Sequence, residues 1–149
     1  MKAFSAMAIA LGLIAPALIA ANSGRAGGAG VQQTTNTIND CVKRSNKFKK
    51  TFDHALAQPN VRAGKQNEEA LNQSAANLAS QMDKVGDSWN KDHSLDKTRI
   101  HVSNAISQAG SVNRAMSIWR MGSEAESEWA ALRNELNRLA ATFAVPGVR

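Results

Sequence analysis

Residues 71–89 read LNQSAANLASQMDKVGDSW. Within them Leu71, Ala75, Leu78, Met82, Val85 and Trp89 recur at steps of four, three, four, three and four. An α-helix turns once in about 3.6 residues, so this alternation keeps all these side chains on one face. It is also the seam of a helix lying nearly parallel or antiparallel to its neighbours. A half-buried strand would alternate every second residue instead. The stretch therefore predicts a helix over 66–91, with its apolar face turned to partners.

The partners are legible on either side. Upstream, Ile38, Cys41 with Val42, Ser45, Phe48, Phe52, and Ala55 with Leu56 share one helical face over 35–57. Pro59 ends that helix, because the residue before a proline disfavours helical backbone. Downstream, Ser94 is a natural N-cap, with Asp96 in the first turn. The third stripe is Leu95, Thr98, Val102, Ala105 with Ile106, Ala109, Val112, Met116 and Trp119. The fourth opens on Ser123-Glu124-Ala125-Glu126, the pattern of a reciprocal capping box. Trp129, Leu132, Leu136, Leu139 and Phe143 follow at three and four, and Pro146 closes the run.

No segment shows strand alternation, and no internal repeat is present. Four amphipathic helices with short connections make antiparallel neighbours. The expected fold is all-α, an antiparallel up-down-up-down four-helix bundle over 35–145 with a tail at 146–149. That topology places Trp119, Trp129, Phe52 and Leu71 near one end, and Trp89, Ile38 and Phe143 near the other. Gly86 and Gly110 fall inside helices, where each costs about 1 kcal/mol against alanine.

Composition agrees with one modest domain. The chain has 149 residues, a net charge of +6 and 43% apolar residues. Only 22 of the 126 residues after Ser23 are Leu, Ile, Val or Phe, so the core is thinly supplied. Lys2 is followed by an uncharged run, AFSAMAIALGLIAPALIAANSG, over 3–24. With small residues at Ala21 and Ser23, residues 1–23 read as a signal peptide cut after Ser23. An uncleaved membrane anchor is the competing reading, and Pro16 and the alanine content weigh against it. Residues 24–34, GRAGGAGVQQT, are glycine-rich and read as a flexible leader. The mature protein is then exported, to the periplasm or the extracellular space. There a lone Cys41 is either a small buried side chain or a bond joining two chains.

Functional signals are few. Lys43, Arg44, Lys47, Lys49 and Lys50 lie off the apolar stripe and form a basic surface on the first helix. Such a surface suits an anionic face of the cell envelope or an acidic protein partner. Nucleic acid is not an expected partner of an exported protein, and no aromatic residue is interleaved there to stack on bases. His54 aligns with Lys47 and Lys50; it stands about 220° around the helix from Cys41, so the two cannot share a metal. No paired Glu-x-x-His pattern or zinc spacing occurs. No nucleophile elbow, phosphate loop or dinucleotide fingerprint occurs either. Asp83 and Asp87 are four apart and could face one another, and Asn113 with Arg114 is the most polar spot beside a stripe. Ile100 and Ile118 miss the third seam, so this helix is expected to be contacted on more than one side, inside the bundle or by another copy. The expectation is a non-enzymatic binding or structural protein of the envelope, without cofactor. The alternative is a haem- or other cofactor-binding bundle that would draw on Met82, Met116 and His101.

Overall fold

The computed structural model describes residues 28–59 and 64–149. The expected signal peptide lies outside these. Among the described residues four helices form: α1 (Gly28–Leu56), α2 (Lys65–Asp92), α3 (Leu95–Ile118) and α4 (Ser123–Thr142). Among the described residues there is no strand. Each helix packs against two others, α1 on α2 and α4, and α3 on α2 and α4, so the four close into a ring around one core. Side-chain pairs give the directions. Thr35 meets Trp89 near one end of α1, and Asp53 and Asn72 line one depression near the other, so α1 and α2 are antiparallel. Thr34 lies beside Ala141, and Lys47 bonds Glu128, so α1 and α4 are antiparallel too.

The stripes read from the sequence are the core. Ile38, Cys41, Phe48, Phe52, Leu78, Met82, Val85, Trp89, Val102, Ala109, Val112, Leu132, Leu136, Leu139 and Phe143 are all buried. Phe48 stacks against both Phe52 and Trp129 with ring centroids 5.2 Å apart, and Trp89 meets Phe143 edge-on at 6.0 Å. These pairs put Phe52 with Trp129 and Trp89 with Phe143, as the topology requires. Two polar residues on the stripes are satisfied locally. Ser45 Oγ donates to Val42 O at 2.9 Å, and Thr98 Oγ1 pairs with Ser88 Oγ at 3.2 Å. Leu71, Met116 and Trp119 sit at the core's edge, half-buried.

Three boundaries differ from the sequence reading. First, α1 begins at Gly28, so residues 28–34 of the expected leader are its opening turns. Distant contacts anchor these turns: Trp89 Nε1 donates to Thr35 Oγ1 at 2.8 Å, and Thr35 Oγ1 donates in turn to Val31 O at 2.8 Å. With Thr34 buried and Val31 packed on the core, tertiary contacts hold a segment of poor intrinsic propensity in helix.

Second, the capping box on Ser123 does not form. Gly122 takes the N-cap position at φ 87° and ψ 158°, a backbone region open essentially to glycine alone. Ser123 is then already inside the helix, and the Glu126 amide bonds Gly122 O at 3.0 Å rather than the serine hydroxyl. Ser94 does cap α3, accepting from Lys97 N at 3.4 Å. Beside it, Asp92 accepts from Lys97 Nζ and Ser94 N, which holds its carboxyl below the usual carboxylate range.

Third, α4 ends before Pro146. Ala144 adopts φ 51°, Ala144 N bonds Ala141 O at 3.2 Å, and Val145 N bonds Ala140 O at 3.0 Å. This paired pattern of terminal bonds satisfies the last carbonyls and turns the chain back on itself. The tail, residues 146–149, thus folds back along α4.

Candidate functional site

The outer face of α1 is the candidate site. Phe48 and Phe52 point to the core, so the opposite face of α1 carries Lys43, Lys47, Lys50 and His54, at steps of four, three and four. All four are exposed. They form a row about 16 Å long at 1.5 Å per residue. Arg44, also exposed, stands about 100° round from Lys43 on the α4 side. Among the described residues Lys43, Arg44 and Lys50 make no ion pair, whereas Lys47 bonds Glu128 of α4.

Lys49 does not belong to this row. It is half-buried on the α2 side, in an open depression of about 450 Å³ shared with Asp53, Glu68, Glu69 and Asn72. It shares that depression with three carboxylates. The sequence-derived set of five therefore divides into three outward cations, one partly neutralised lysine and one facing an acidic depression. His54 joins the row.

Cys41 is wholly buried, and burial, with smaller contributions from Glu135 and Asp40, pushes its thiol up to about 12. A thiol so placed is protonated at neutral pH and out of reach of a second chain. Of the two readings of Cys41, the folded structure carries the buried one.

The remaining sequence candidates disperse. Asp83 and Asp87 are both exposed on α2. Among the described residues no three His, Cys, Asp or Glu side chains gather where they could hold a metal ion. Met82 is buried in the core, while Met116 lines a surface depression with Asn113, Glu126, Trp129 and Arg133. Counted from the α2–α3 turn, Met116 lies about 16 Å beyond the level of Met82 at 1.5 Å per residue. His101 is half-buried on α3. No helix among the described residues is long and apolar enough to cross a membrane.

Asn113 does more than its sequence position suggested. Its Oδ1 accepts from Trp129 Nε1 at 3.0 Å and from Arg133 Nη1 at 3.4 Å, and its Nδ2 donates to Arg149 O at 2.8 Å. Arg114, its neighbour, bonds only locally, to Ser111 Oγ at 3.1 Å. Nothing in the local sequence marked Asn113 as a junction of α3, α4 and the C-terminal segment. Its partners lie 16 to 36 residues away.

No family model matches the chain, and no curated protein or solved structure matches it significantly.

Proposed function

We propose that this chain is an exported, non-enzymatic bundle of the cell envelope that holds an anionic surface against the outer face of α1. The supporting observation is the row Lys43, Lys47, Lys50 and His54, directed away from the core along one line of a rigid helix. The backbone beneath the row is already fixed by packing, so engaging a flat charged surface orders only the lysine and histidine side chains. The interaction would be electrostatic. Each lysine or arginine near an anionic lipid surface contributes about 1 kcal/mol and loses that contribution as salt screens it. Export rests on residues 1–23, cut after Ser23.

Co-sedimentation with vesicles tests this reading. Binding to vesicles rich in anionic phospholipid at low salt is expected, with little binding to neutral vesicles. Charge reversal at Lys43, Lys47 and Lys50 together is expected to abolish it, while Lys49→Glu, off the row, is expected to change it much less. Equal retention by neutral and anionic vesicles would rule the reading out.

A further inference from the structure

The seam between α3 and α4 differs from the other three. These two helices touch each other least, and the space between them is covered by the chain's own residues 145–149. After the reversal at Ala144, successive partners of the returning segment step down α4. Val145 N bonds Ala140 O, Val148 N donates to Asn137 Oδ1 at 2.7 Å, and Arg149 O accepts from Asn113 Nδ2, whose amide is held by Arg133 and Trp129. Val145 and Val148 are half-buried against the core.

Both asparagine contacts are to backbone atoms. They read the course of a main chain and not the identity of its side chains. Side-chain selection comes from two aliphatic residues three apart and from Gly147. A Cβ at Gly147 would lie 2.6 Å from Asn137 Oδ1. Asn137 could swing aside, but only by giving up the Val148 amide. Main-chain hydrogen bonds for affinity, with shallow apolar contacts and one steric filter for choice, are the working parts of a peptide-binding groove.

We propose that the α3–α4 seam is a docking groove for a partner protein's extended segment of the pattern aliphatic-x-Gly-aliphatic. Residues 145–148, Val-Pro-Gly-Val, are its resident occupant. The chain's own segment displays the chemistry the groove selects, since it fills the seam and is clamped at two backbone positions. Tethered only a few residues from α4, the resident segment acts at an effective concentration of about millimolar. It therefore keeps weak competitors out and yields to a partner that binds more tightly. This inference is independent of the basic face of α1, which lies on a different helix.

The experiment uses the full chain and an acetylated, amidated peptide of residues 144–149, followed by the nuclear magnetic resonance signal of the Trp129 indole N–H. Gly147→Ala is expected to expel the resident segment and shift that signal. Added peptide is expected to restore it, at an apparent Kd at least tenfold lower than for the wild-type chain. A peptide carrying Gly147→Ala is expected to fail on this variant. A variant with unchanged helical circular dichroism that ignores the wild-type peptide would overturn the proposal, as would equal binding of both peptides. The wild-type chain offers a second measurement, independent of any variant's folding. The Val148 amide is expected to exchange with solvent at least tenfold more slowly than in the free peptide, and equal rates would overturn the proposal. Concentration-dependent dimers formed by exchanged C-terminal segments would name a second copy as the occupant and overturn the partner-protein form.

Discussion

Ala144 occupies the left-handed position that closes α4, at φ 51°. An L-residue with a Cβ is strained there by roughly 1 kcal/mol, which glycine avoids. Ala144→Gly is therefore expected to stabilise the fold by about 0.5–1 kcal/mol, less whatever glycine adds to the entropy of the unfolded chain. Chemical denaturation of the two proteins measures it. Cys41 makes a prediction about pH. The folded thiol holds its proton to about 12, whereas the unfolded thiol releases it near 9. Between these values the unfolded state binds fewer protons, so the thiol's contribution is complete below about pH 9 and is lost as pH rises toward 12. The slope attributable to it is at most about 1.4 kcal/mol per pH unit. Cys41→Ala should flatten the alkaline limb of a stability-against-pH curve, whatever it does at neutral pH.

At the scale of the element, the four helices were legible because each carries its apolar residues at steps of three and four. Leu78, fully buried near the middle of α2, follows from that spacing alone. Leu78→Ala is expected to cost about 2–5 kcal/mol, read as a lowered melting temperature. The ends of the elements were not legible, and the physical reasons differ. Residues 28–34 have no pattern of their own; what anchors them is distant, with Thr34 buried, Val31 packed on the core, and Thr35, bonded to Val31 O, accepting from Trp89 54 residues away. Ser123 and Glu126 fit a capping box by type and spacing, but Gly122 can take a backbone angle the others cannot, and it moves the cap by one residue. The two serines make a matched pair. Ser94→Ala is expected to cost about 1 kcal/mol through the lost cap, while Ser123→Ala is expected to stay within about 0.5 kcal/mol of the wild type.

At the scale of the whole molecule, the site was only partly legible. The helical wheel separates Lys43, Lys47 and Lys50 from the core without any structure. It does not show that Glu128 of α4 reaches Lys47 or that Glu68 and Glu69 of α2 line the depression holding Lys49. Those neighbours are assigned by packing, not by local sequence. The outward charge that remains sets a measurable expectation for the intact protein. Its retention on anionic vesicles should fall steeply as ionic strength rises through about 0.15 M, where the screening length is about 8 Å. The same dispersal hides the junction at Asn113 from local sequence, since its partners lie in two distant segments that only the fold brings to α3.

The sealed position of Cys41 also has a bearing on how the protein is made. Once the bundle closes, no oxidant reaches the sulfur; while the chain is still open, two chains can be stapled through it. In an oxidising solution the yield of monomer is thus decided by a contest of rates, collapse of the helices against collision of two unfinished chains. Dilution and a reducing agent during refolding both favour the first.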